Sequence, residues 1–154
     1  MTVKHWLVKT EPEVYSIDDL KRDGSTAWDR VRNHQAKLSL RDGMQAGDRV
    51  LIYHSNAEPT GVVGVATVVG EAIPDATQFR KGDDAFEPRA NTDAPVWWAR
   101  TLRFERRFSA CVTLASLRAE PKLAGMQLLA RGNRLSVLPV AAAEFACIER
   151  MAKA

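Results

Sequence analysis

Residues 61–69, GVVGVATVV, are apolar on both faces of an extended chain. A strand of that kind has to be covered on both sides, so it reads as the central strand of a sheet packed above and below. Its apolar run, from Val62 to Val69, is broken by Gly64 and Thr67 and falls far short of the roughly 20 residues that span a bilayer. Residues 48–54 (DRVLIYH) precede it across a turn at Asn56-Ala57-Glu58-Pro59, which gives an antiparallel pair. Residues 96–108 (VWWARTLRFERRF) read as a long strand. One of its faces carries Val96, Trp98, Leu102 and Phe104, the other Trp97, Arg103, Glu105 and Arg107. Residues 4–9 (KHWLVK), bounded by Glu11-Pro12, read as the first strand.

Helices occupy the intervals. Ser16 caps residues 17–22, with Asp18 and Asp19 favourably placed in the first turn. Gly24-Ser25-Thr26 ends that helix and opens a loop through Trp28 and Arg30, and Asn33 caps residues 34–40. Residues 71–95, with three prolines, read as a long loop with a helical turn near Thr77. Thr113 caps residues 114–118, and Pro121 starts a further turn. Residues 131–140 lead into a closing strand, and residues 141–153 form an amphipathic helix with Phe145, Ile148 and Ala152 on one side. Short strands with helices at their ends imply an α+β domain around a twisted sheet or small barrel.

A length of 154 residues fits one domain over 1–154. The 45% apolar and 27% charged content is globular rather than disordered. The N-terminal MTVKHWLVKTEP lacks an apolar signal region. Two cysteines, Cys111 and Cys147, make no disulfide framework and point to a reducing compartment, so a soluble, cytoplasmic protein without membrane contact is expected, with nucleoid association, or a nuclear location in a eukaryote, as the alternatives and a monomer the favoured state. His5, His34 and His54 are too scattered for a metal site, and no phosphate-loop pattern is present, so no metal or cofactor is expected. Net charge is only +3, yet 15 of the 22 basic residues are Arg. Codon bias gives Arg richness, and so does an anionic partner, because guanidinium groups grip phosphates and stack on rings.

Three polar and aromatic clusters carry the chemistry. Trp28-Asp29-Arg30-Val31-Arg32-Asn33 places a ring, two guanidinium groups and an amide within six residues. Unpaired bases are recognised by such sets, although Trp28 as a core anchor and Asn33 as a helix cap would use the same residues structurally. Tyr53-His54-Ser55-Asn56 lies at a strand end, either as a pocket mouth or as a plain exit into a turn. Lys9 and Glu11 leave the first strand on one face and can form an ion pair or a polar pocket wall.

Taken in order, WLVKTEP at 6–12, WDRVRN at 28–33, IYHSN at 52–56, GVVG at 61–64 and RGNRLSV at 131–137 resemble the EVE domain, across roughly residues 3–150. The resemblance implies a PUA-like fold related to the YTH and ASCH domains: a small curved β-barrel of about five to six strands flanked by helices. It implies a non-enzymatic module that binds DNA or RNA carrying a modified base, chiefly 5-methylcytosine or its oxidised forms. A flipped or single-stranded nucleotide would sit in an aromatic and polar pocket. Trp28 and Tyr53 would be its walls, Asn33 and Ser55 would bond the base edge with His54 nearby, and Lys9, Glu11 and Arg32 would shape the rim. Arg131 and Arg134 would meet phosphate or brace the pocket loop, and Arg30 would swing toward phosphate or narrow the entrance. Trp97 and Trp98 read as core or rim. Arg30 stands where the family usually has a small Gly. The rival reading is an ASCH-type hydrolase of acylated cytidine using Lys9, Thr10 and Glu11; a third is an adaptor holding a free nucleoside.

Overall fold

The computed structural model of the protein describes residues 2–153. Strict alternation of side chains along the strands builds two hydrophobic cores on opposite faces of one sheet. In β1 (His5–Thr10), Leu7 enters one core and Trp6 and Val8 the other. β3 (Arg49–His54) repeats the division, with Leu51 and Tyr53 on the first face and Val50 and Ile52 on the second. β4 (Gly61–Pro74) is the doubly covered strand foreseen, and runs beyond residue 69. Val62 and Val65 share a face despite their odd spacing, because the register against β3 shifts between Ile52 and Tyr53.

The six strands follow the order β2-β5-β4-β3-β1-β6. β5 (Trp98–Thr113) lies antiparallel to β4, β3 antiparallel to β4, and β1 parallel to β3. β6 (Val137–Val140) closes antiparallel on β1. β2 corrects the loop expected from Gly24 through Trp28 and Arg30: Ser25–Trp28 is an edge strand paired to β5, Thr26 opposite Leu102 and Trp28 opposite Arg100. The sheet is mixed and curved but not closed; β2 and β6 remain its two edges.

Helices α1 (Ile17–Asp23) and α2 (His34–Leu38) cover the face holding Trp6, Trp28 and Leu102. Ser16 and Asp19 form a reciprocal capping box on α1, and Asn33 caps α2. α2 is shorter than expected and passes into a π-helical turn, Ser39–Gly43. The buried Arg100 secures that turn by donating to the carbonyls of Leu40, Arg41, Met44 and Gly70 at 2.7–3.1 Å. Helices α3 (Leu114–Ala119) and α4 (Ala142–Lys153) cover the opposite face through Leu117, Phe145 and Ile148. Gly64 lets β4 and α1 approach closely: a methyl there would lie 2.5 Å from the Arg106 carbonyl and 2.7 Å from Ile17.

Candidate functional site

Because β1 and β3 run parallel, their C-terminal residues reach the same rim, Lys9 beside Tyr53 and Thr10 beside His54. Sheet curvature brings the opposite edge to this rim. A cavity of about 350 Å³ lies between Thr26, Ala27 and Trp28 of β2 and the Lys9, Thr10 and Ser136 side of the sheet. It occupies the seam that the unclosed sheet leaves, and its volume is within the roughly 300–1,000 Å³ of small-ligand sites.

Trp28 and Tyr15 supply the aromatic part of this seam cavity, their rings edge to face at 6.2 Å and 86°. Tyr15 is fixed by its hydroxyl donating to Asp23 and its carbonyl accepting from the Thr10 hydroxyl, both at 2.8 Å. Lys9 reaches from the seam to two adjoining clefts. One is lined by Tyr53, Ser55 and the turn after β3. The other, about 520 Å³, is lined by Tyr53, Arg118 and Arg131. The Lys9 ammonium sits 5.9 Å from the Tyr53 ring centre, and burial pushes its pKa down. Burial pushes the Tyr53 hydroxyl up, and the positive charge of Arg118 opposes it.

The segment after Trp28 is held by the long loop that follows β4. Asp75 is fully buried and accepts from the Arg30 amide at 2.7 Å, Arg32 Nη1 at 2.9 Å, and the amide and hydroxyl of Thr77. Burial alone would raise this carboxyl; the bonds from Thr77, Arg32 and Arg30 prevail and hold it below the ordinary range. Arg30 has φ +65°, a left-handed conformation in which Gly costs least. Its guanidinium turns onto Asp83 through two bonds of 2.8 and 2.9 Å. Arg32 binds Asp75, the Thr77 hydroxyl and the Ala85 carbonyl.

The expected residues therefore divide. Lys9, Trp28, Arg30 and Arg32 line the seam, while Tyr53 and Ser55 line the clefts beyond Lys9. Trp28 and Tyr53 belong to cores on opposite sheet faces, so they do not form two walls of one cage. The Asn33 carbonyl oxygen accepts from the Ala36 amide, which makes it the cap. His54 Nε2 accepts from the Ile17 amide at 3.1 Å and so anchors α1 to β3. Glu11 accepts from Asn56, so the expected Lys9–Glu11 pair is replaced, and of the three residues of the hydrolase reading only Lys9 and Thr10 reach the seam. Arg131 lies on the basic cleft; Arg134 lines neither it nor the seam. Trp97 is buried, donates to Glu87 and stacks on His34 at 4.7 Å, and Trp98 is half-buried, in line with a core or rim role. Sequence reasoning missed Tyr15, Thr26 and Ser136, whose convergence with Asp29, named in its cluster but given no role, depends on β2 being an edge strand and on how the sheet curves; it also missed Arg118, which α3 brings to the basic cleft.

Residues 4–151 match the EVE domain family. The chain is 36% identical over 160 residues to human thymocyte nuclear protein 1, covering 92% of this chain and 70% of the human protein. The structure of a hypothetical protein from Leishmania major superposes with a TM-score of 0.94 at 39% identity, covering 99% of this chain and 96% of that one. Human THYN1 protein, solved in complex with 5-methylcytosine containing DNA, superposes with a TM-score of 0.90 at 35% identity, covering 98% of each chain. An ASCH protein from Zymomonas mobilis shares the fold alone, with a TM-score of 0.56 at 15% identity over 96% of this chain and 98% of that one. The six-stranded mixed sheet with flanking helices is thus PUA-like, and the chain belongs to the EVE domain family.

Proposed function

We propose that this protein binds nucleic acid carrying a modified base of the 5-methylcytosine type, with the base out of the stack and seated in the seam cavity. The observation that carries the reading is the joining, at Lys9, of an aromatic cavity to a basic cleft. A base offers a ring to lie against Trp28 and Tyr15, and its backbone offers phosphate to Lys9, Arg118 and Arg131. The likeness to human THYN1 protein, which binds 5-methylcytosine containing DNA, supports the same ligand class. A 5-methyl group buried against these rings contributes about 0.8 kcal/mol, roughly a four-fold preference over the unmodified base. That modest factor means the remaining selectivity must come from polar contacts.

The test is titration of single-stranded and duplex oligonucleotides, DNA and RNA, each with or without one modified base. Trp28→Ala removes a seam wall and should abolish the preference for the modified strand. Because Trp28 is also a core residue, Trp28→Phe serves as the folded control, and circular dichroism reports whether each variant retains its structure. Affinity should fall with salt at a log–log slope of about −0.7 to −0.9 per phosphate contacted. An unchanged preference in folded Trp28→Ala refutes the seam as the base site. Flat salt dependence would favour a free nucleoside as the ligand.

A further inference from the structure

Asp29, on the wall of the seam cavity, carries a carboxyl group that no other side chain among the described residues bonds. The residue lies half-buried between Trp28 and Arg30. Its two neighbouring cations are committed elsewhere: Arg30 is bidentate on Asp83, and Arg32 is shared among Asp75, Thr77 and Ala85. Among the described residues, no other side chain donates a hydrogen bond to Asp29 or forms an ion pair with it. Burial, and then the negative charge of Asp75, push its carboxyl up, while the positive charges of Arg30 and Arg80 only partly compensate. That is the condition of an acceptor short of donors.

A methyl-binding wall alone has a specific weakness. Thymine carries the same 5-methyl group as 5-methylcytosine, so rings that bury the methyl group gain as much from either base. The two differ at position 4, where cytosine presents an N–H₂ donor and thymine a carbonyl acceptor. A carboxylate accepts from the first and repels the second.

We propose that Asp29 is the specificity-determining residue of the seam cavity, accepting a hydrogen bond from the 4-amino group and so separating 5-methylcytosine from thymine. The proposal rests on the base occupying the seam cavity. Arg30 and Arg32 are positioning residues here: by binding Asp83 and Asp75 they leave the Asp29 carboxyl free for the ligand. Thymine, whose O4 would face the carboxylate, leaves two acceptors unpaired and is rejected.

The experiment measures affinity for one oligonucleotide context bearing 5-methylcytosine, thymine or 5-methylpyrimidin-2-one, the last retaining the methyl group without the 4-amino group. The unaltered protein should prefer 5-methylcytosine to each of the others by about ten-fold, the scale of one good polar base contact. Asp29→Asn, whose amide both donates and accepts, should bring the three within about two-fold and strengthen thymine binding. Melting curves verify that this variant is folded. If folded Asp29→Asn keeps the original ratios, or if the unaltered protein binds the desamino analogue as tightly as 5-methylcytosine, the role of Asp29 is refuted. Trp28→Ala separates the two levels of failure. When it weakens all three ligands while Asp29→Asn changes nothing, the seam stands and Asp29 does not. When folded Trp28→Ala weakens none, the seam reading falls and Asp29 with it.

Discussion

Replacing Asp75 by Asn tests whether one buried carboxylate holds the recognition segment in place. Asp75→Asn keeps the size of the side chain and allows its carbonyl oxygen to go on accepting from the Thr77 amide and hydroxyl. The second oxygen becomes an N–H₂ group that faces two donors, the Arg30 amide at 2.7 Å and Arg32 Nη1 at 2.9 Å. Each lost bond to a charged group is worth about 1.5–3 kcal/mol, and breaking a buried ion pair costs about 3–5 kcal/mol. Arg32 is about a quarter exposed and recovers some hydration, so the expected loss is about 3 kcal/mol. Urea denaturation of the two proteins at neutral pH reads this difference directly. The folded carboxyl is held below its ordinary value, so its contribution is complete above about pH 4 and disappears as the pH falls through the folded pKa. The stability gap should therefore be constant at neutral pH and shrink in acid. A gap under about 1 kcal/mol at neutral pH, or one that persists undiminished at about pH 2, would refute the role given to Asp75.

Two further outcomes are expected. Arg100→Met strands the four carbonyls that Arg100 now satisfies and should cost about 3 kcal/mol in urea denaturation, with the π-turn released to faster amide exchange. Burial holds the His54 pKa below its ordinary value against the pull of Asp18, so its stabilisation is full above about pH 6.5 and falls as the pH drops below that. Thermal melts should show this acid-side loss. His54→Gln should flatten it in part, the remainder coming from His5, which burial and the charge of Arg49 shift in the same direction.

The strands with strong local patterns were legible in the sequence. β1, β3 and β4 carry dense β-branched and aromatic residues, and the antiparallel pairing of β3 with β4 follows from the short turn between them, whereas the parallel pairing of β1 with β3 across the 11–48 interval has no local signal. β2 was not legible, because Ser25-Thr26-Ala27-Trp28 is only four residues long, directly follows the helix-ending Gly24, and becomes a strand by pairing with β5, far along the chain. The site was legible as a set of segments and illegible as a shape. The resemblance implies Trp28 and Tyr53 as walls of one pocket, whereas the face each occupies depends on strand order and on the shift between Ile52 and Tyr53. Arg32 lines the seam, as the rim role implied by the resemblance requires, but the loop that follows β4 occupies its donors. No local pattern announces a hydrogen bond between residues more than forty positions apart.

The unclosed seam has an evolutionary consequence. Thr26, Asp29 and Ser136, which line it, are only half-buried and belong to neither core. A lineage can refit this cleft for another base while folding proceeds as before. Trp28 is the exception, being wall and core at once, so drift at that position is penalised twice, in ligand and in fold.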